Sequence, residues 1–208
     1  MTERQMRIGV VLFGGFELLD VTGPLECLCG LPEYFDVVLV GPEAGPVASA
    51  QGPALVADSA WSTASDVDIV MVPGGQGTRL LADDATFCSW LAEWSADASL
   101  VTSVCTGSGL LASAGLLDGY RATSNKRSFA WVTGRGPNVD WVPKARWVHD
   151  RDRWTSAGVA AGIDMTFALI AELHGDGLAT RLAEQIEYDW HRDAGWDPFA
   201  AINGLVDG

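Results

Sequence analysis

The stretch Ser99-Leu100-Val101-Thr102-Ser103-Val104-Cys105-Thr106-Gly107-Ser108-Gly109 decides how this chain is read. An apolar, β-branched run stops at a cysteine, and small residues then open a helical pattern. Such a turn lifts one side chain out of the sheet and leaves it beside the first amides of the next helix, where positive potential favours thiolate over thiol. Thr106, Gly107 and Ser108 suit the turn because bulkier side chains would crowd the backbone. Cys105 is therefore the candidate nucleophile. The alternative is a buried structural cysteine at an ordinary strand end.

Outward from that turn the same alternation repeats. Arg7 to Phe13 is a short β-branched run closed by Gly14-Gly15, and Leu18 to Leu31 follows with apolar residues at helical spacing. Phe35 to Val40 predicts a second strand, and Val47 to Ala57, broken at Gly52-Pro53, a small hairpin on one edge. Val67 to Val72 is a continuous apolar strand ending at Pro73-Gly74-Gly75. Helices near Thr78 to Leu81 and over Ala85 to Ala96 lead to the opening strand and to a helix over Gly107 to Ala114. Beyond Gly115 the pattern predicts a strand at Arg121 to Ser124, a helix at Arg127 to Val132, and strands near Val139 to Val142, Ala145 to His149 and Trp154 to Ser156. Helices over Val159 to His174 and Leu178 to Trp190 complete it. Unbroken apolar strands alternating with helices imply a mostly parallel sheet covered on both faces, a three-layer α/β architecture. No repeat or low-complexity linker divides the chain, so residues 1–208 read as one domain with an aromatic-rich tail, 188–208.

With 208 residues, 48% of them hydrophobic, the chain can bury a sizeable core without disulfides or metals. Its 13 basic and 27 acidic residues leave a net charge of -14, which opposes adsorption to nucleic acid or an anionic membrane. Met1 to Arg7 carries no signal-peptide core. The longest apolar stretch, Gly158 to Leu173, contains Asp164 and Glu172, which predicts a core helix rather than a membrane span. A cytoplasmic protein is the expectation. The four cysteines, Cys27, Cys29, Cys88 and Cys105, fit neither a zinc spacing nor a disulfide framework. Cys27, Cys29 and Cys88 read as packing residues. The nine tryptophans crowd toward the C-terminal part, where they either fill the core or cover a pocket or subunit contact.

In parallel sheets, sites form beyond the carboxyl ends of the strands. Three such loops converge here: the one after Phe13 leading to Asp20, the one at Gly74-Gly75, and the elbow at Cys105. Asp20 interrupts an apolar run just ahead of Thr22-Gly23-Pro24; it is either a helix cap or the acid beside the thiol. A carboxylate and a thiolate repel, so the pair is expected to share one proton, with Asp20 as general acid. Gly74-Gly75-Gln76-Gly77 lacks the lysine and spacing of a phosphate or dinucleotide loop. Its backbone N–H groups, with that of Thr106, are instead candidate donors to developing negative charge. Where a histidine base would follow the elbow, the chain has Asn125-Lys126-Arg127, and His149, His174 and His191 read as surface or capping residues. No residue spacing supports a metal, and no cofactor is implied.

Together, the Val-Cys-Thr-Gly elbow, Leu19-Asp20-Val21-Thr22-Gly23-Pro24 and Val72-Pro73-Gly74-Gly75-Gln76-Gly77 resemble the ThiJ/PfpI superfamily, from about Arg7 to Leu173. Asp20 in its Leu-Asp-x-Thr-Gly-Pro setting, Ser103 to Ser108, and the Ala-Gly-Ile-Asp start at Ala161 to Asp164 are similar to its isonitrile hydratase subgroup. The resemblance implies a flavodoxin-like, class I glutamine-amidotransferase-like fold with a cysteine nucleophile elbow. It also implies a homodimer, and functional positions at Cys105, Asp20 and Thr106 with Gly75 and Gly74 in the oxyanion loop. Two departures bear on substrate identity. Asn125-Lys126 stands where relatives carry a His-Trp pair, and the tail from Tyr188 to Phe199 is unlike theirs.

Hydration of a small isonitrile to an N-substituted formamide, with no cofactor, is the first expectation. A glyoxalase-like or deglycase-like enzyme acting on reactive carbonyls would use the same thiol and acid. The non-enzymatic alternative is a cysteine redox or stress sensor. A fused DNA-binding helix-turn-helix is not expected, because the sequence ends at Gly208 and is acidic.

Overall fold

Ile69-Val70-Met71-Val72 is buried at all four positions, as a strand covered on both faces requires. It forms the middle of the sheet in a computed structural model that describes residues 4–207. Met1, Thr2 and Glu3, part of the N-terminal stretch read above for a signal peptide, and Gly208 lie outside the described residues.

In chain order the first elements are β1 (Met6–Val11), α1 (Leu18–Cys29), β2 (Phe35–Gly41), β3 (Gly45–Ala48), β4 (Ala54–Ala57), β5 (Ser59–Ala60) and β6 (Ile69–Val72). Then come α2 (Thr78–Leu81), α3 (Ala85–Trp94), β7 (Leu100–Ser103), α4 (Gly107–Ser113), β8 (Arg121–Ala122), α5 (Phe129–Thr133) and β9 (Asp140–Trp141). The last are β10 (Trp147–Asp150), β11 (Arg153–Ser156), α6 (Ala161–His174), α7 (Asp176–Gln185) and α8 (Phe199–Ile202). The main sheet has seven strands in the order β10-β11-β7-β6-β1-β2-β5. Every neighbouring pair is parallel except β10 with β11. This is the mostly parallel α/β fold expected, and it brings the carboxyl ends of β1, β6 and β7 to one edge.

Several boundaries differ from the sequence pattern, each for a local reason. The hairpin β3–β4 forms its own two-stranded sheet instead of lengthening the main edge, and the short β8 pairs with β9 in a second two-stranded sheet beside β10 and β11. The last long helix stops at Gln185, not Trp190. Glu187 adopts a positive φ of 52°, and the Tyr188 N–H turns back to the Ala183 carbonyl, which closes the helix. Helix α6 starts at Ala161 rather than Val159, because Val159 takes a φ of 37°. The tail contains α8, which the pattern did not reveal. Cys27 is buried and Cys88 partly so, but Cys29 is exposed and is not a packing residue.

Two glycines in the helices set how closely they approach. A Cβ on Gly23 would lie 2.7 Å from Ile163 Cγ1, and one on Gly162 would lie 2.7 Å from Val104 Cγ1. Without those atoms, α1 meets α6, and α6 meets the residue before the elbow. A small apolar cluster of Val104, Trp147, Trp154, Met165 and Leu169 gathers there around Cys105. The predicted core helix α6 is buried along most of one face, and no helix among the described residues is long and apolar enough to cross a membrane.

Candidate active site

The elbow follows β7 directly. Cys105 has a φ of 57°, a conformation that costs a non-glycine residue on the order of 1–3 kcal/mol and that surrounding bonds must hold. Those bonds are visible. The Cys105 N–H donates to the Ala157 carbonyl at 3.2 Å, while the Ser124 and Ser108 hydroxyls donate to the Cys105 carbonyl at 2.9 and 3.1 Å. Gly107 is required by space: a Cβ there would sit 2.1 Å from the Val72 carbonyl oxygen.

Asp20 stands in the first turn of α1, but Glu17 occupies the cap position, so Asp20 is not the helix cap. It is 0% exposed, and its Oδ2 accepts the Gly74 N–H at 2.8 Å. Its Oδ1 is buried without a hydrogen bond of ordinary geometry, which leaves a position for a proton. Burial pushes the Asp20 carboxyl up to about 7, against the pull of the Gly74 N–H, and the Glu17 charge adds to the rise.

The thiol does not behave as the elbow alone predicted. Burial in its apolar cluster pushes Cys105 up to about 12, and the neighbouring Asp20 charge adds to that. The Thr106 and Val159 N–H groups and the Asn125 side chain pull the other way but do not overcome it. Desolvation thus outweighs the start of a seven-residue helix. Both members of the pair hold protons more tightly than they would in water. Asp20 is the carboxyl adjacent to the thiol.

The diglycine loop also differs from expectation. The Gly74 N–H is committed to Asp20, and the Gly75 N–H donates to Thr106 Oγ1 at 3.0 Å. The two glycines are there for close approach. A Cβ on Gly74 would lie 2.6 Å from the Thr106 nitrogen, and Gly75 takes a φ of 125°. The Thr106 and Val159 amides are instead the backbone donors to Sγ.

Asn125 is the site residue that residue types alone left open. Its Oδ1 accepts the Ser128 N–H at 3.1 Å, capping a short 3-10 turn, while its amide lies beside Sγ. A Cβ on Gly158 would stand 2.4 Å from Asn125 Nδ2, so that glycine admits the amide to the site. The pattern Asn-x-x-Ser after β8 was the available signal. Lys126 points away and is buried against Asp197 of the tail at 3.1 Å, each side chain only 2% exposed. The tail therefore braces the Asn125 loop without reaching the thiol.

No histidine lines the Cys105 pocket among the described residues. His149 stacks on Trp154 and bonds the Arg151 carbonyl, His174 packs on Tyr34 and Phe35, and His191 stacks on Trp196. Among the described residues no group of three or more His, Cys, Asp or Glu side chains is placed to hold a metal ion.

A parallel α/β sheet with a left-handed cysteine at the end of one strand and a carboxyl from the neighbouring loop defines a cysteine-elbow class of protein. Residues 6–172 match the DJ-1/PfpI family, and the chain belongs to it. It is 36% identical over 184 residues to isonitrile hydratase from Pseudomonas putida, covering 88% of this chain and 78% of that relative. It is 29% identical over 189 residues to the HTH-type transcriptional regulator GbdR of Pseudomonas aeruginosa, covering 88% of this chain but 50% of the regulator. Among solved structures, a ThiJ/PfpI family protein from Pseudomonas syringae superposes with a TM-score of 0.83 at 32% identity, covering 99% of this chain and 87% of the other. Drosophila melanogaster DJ-1beta, at 18% identity and a TM-score of 0.78 over 90% of this chain and all of its own, shares the fold.

Proposed function

We propose that this protein adds water to a small isonitrile, giving the N-substituted formamide through a thioimidate on Cys105. The observation that carries the reading is the buried pair of Cys105 and Asp20, with Asp20 held on the Gly74 N–H and no histidine in the pocket. Identity to isonitrile hydratase across most of both chains supports it.

The chemistry needs a nucleophile and one proton carrier. Asp20 takes the thiol proton as Sγ attacks the terminal isonitrile carbon, then delivers a proton to that carbon, leaving a thioimidate. Water adds next, losing a proton to Asp20, which passes it to the imidate nitrogen. The C–S bond then breaks as the hydroxyl proton moves through Asp20 to the sulfur, so the formamide leaves and the thiol is restored. No electron is gained or lost overall. The Thr106 and Val159 amides stabilise charge on sulfur during attack and departure. A histidine is unnecessary because the incoming carbon takes up a proton, whereas a leaving amine would need one delivered.

Intact-mass spectrometry of the protein quenched during turnover of a simple alkyl isonitrile tests the reading. The expected result is an adduct of the isonitrile mass on Cys105 together with free formamide. Formamide formation that persists in Cys105→Ala overturns it. The regulators among the relatives favour a second reading, a ligand-sensing domain, which predicts saturable isonitrile binding without product. A homodimer and a cytoplasmic setting belong to the first reading, and light scattering coupled to size exclusion tests the dimer.

A further inference from the structure

Arginines in this acidic chain are almost all neutralised. Each except Arg79, Arg127 and Arg181 has a carboxylate within ion-pair distance among the described residues. Two of those three, Arg79 and Arg127, line the pocket that opens onto Cys105. Arg79 is also held in place. Its guanidinium lies 3.5 Å from the centre of the Trp131 ring, and it donates to Ser128 Oγ at 3.0 Å and to Thr78 Oγ1 at 3.3 Å. Neighbouring Arg135, over the same ring, is instead neutralised by Asp83. The one carboxylate lining the pocket, Glu17, is engaged by the Gln51 side-chain amide at 2.6 Å.

Arg79 is thus a fixed guanidinium with no ion-pair partner among the described residues, and its planar fork of donors at the pocket suits a carboxylate. We infer that Arg79, helped by Arg127, binds a carboxylate on the substrate and orients its electrophilic carbon toward Cys105. The substrate class is then a small electrophile carrying a carboxylate, such as an isocyano acid. This rests on the reading above only in taking Cys105 as the reacting atom.

Alkylation tests it without any hydration step. The full-length protein is treated in parallel with iodoacetate and iodoacetamide, and the rate at Cys105 is followed by peptide mass spectrometry. Each reagent forms a C–S bond and expels iodide, with the thiol proton lost to solvent. The ratio of the two rates cancels changes in thiol reactivity and reports attraction of the carboxylate alone. In Arg79→Gln that ratio is expected to fall about tenfold, as loss of a charge-assisted hydrogen bond implies. A ratio unchanged from wild type, or a wild type that iodoacetate does not modify, overturns the inference. Should Arg79→Gln fail to fold, Arg127→Gln on the exposed loop carries the same test, with an expected fall of about threefold. Absence of formamide from every isonitrile would instead remove the hydration reading and leave the alkylation ratio intact.

Discussion

Asp20 and Asp164 are the same residue in the same kind of place. Each lies in the first turn of a long helix, flanked by apolar residues, and each is 0% exposed. Their partners differ. Asp164 accepts from the Arg146 guanidinium, the Tyr188 hydroxyl at 3.0 Å and the His191 N–H at 3.0 Å. Asp20 accepts one backbone N–H and faces a thiol. A buried carboxylate with a cation and two further donors is a tie between elements, here fastening the residue before β10, α6 and the tail. A buried carboxyl with one donor and no cation can store a proton. Burial is common to both; the cation separates the tie from the candidate for proton transfer.

Four experiments would break or sharpen that contrast. Cys105→Ala is expected to remove isonitrile turnover, a loss of roughly a thousandfold or more in kcat/KM by product assay. Asp20→Asn keeps an acceptor for the Gly74 N–H but cannot exchange the proton, and turnover should fall by about a hundredfold or more while Cys105 remains open to alkylation. Near-normal turnover in that variant would mean the two aspartates differ only in packing. Asp164→Ala leaves the Arg146 guanidinium buried and unpaired, and denaturant unfolding should show a loss of about 3–5 kcal/mol.

The smallest effect concerns pH. Asp20 in the folded protein holds its proton up to about 7, above the ordinary carboxylate value, so the unfolded chain releases that proton first. Its contribution to stability is complete below the unfolded value and is lost as pH rises through about 7. Between pH 5 and pH 8, wild type should lose about 2–3 kcal/mol relative to Asp20→Asn in denaturant midpoints converted to free energy. Parallel pH profiles for the two proteins would remove the proton-store account.

Most of the sheet was legible because strands such as Ile69 to Val72 are continuous apolar runs between glycine turns. The elbow and Asp20 were legible for the same reason, as polar residues breaking such runs at strand ends and helix starts. What the sequence pattern misread were features created by tertiary contact. The amide donors at Sγ come from Val159 and Asn125, whose placement depends on the loops around Gly158 and the Asn125 cap. The thiol's high proton affinity follows from burial in a cluster that includes Trp147, Trp154 and Met165, residues distant in sequence. The end of α7 turned on the positive φ of Glu187 and the Tyr188 N–H reaching back to Ala183, while the Tyr188 hydroxyl meets Asp164, a contact invisible to helical periodicity.

The pairing of Lys126 with Asp197 gives the C-terminal segment the character of a tethered ligand. Asp197 meets Lys126 of the Asn125 loop at the effective concentration that covalent attachment provides. A cation enclosed at Lys126 has that segment's carboxylate as its ion-pair partner, so trimming the chain before Asp197 would leave that cation unpaired beneath the loop that carries Asn125 to the thiol.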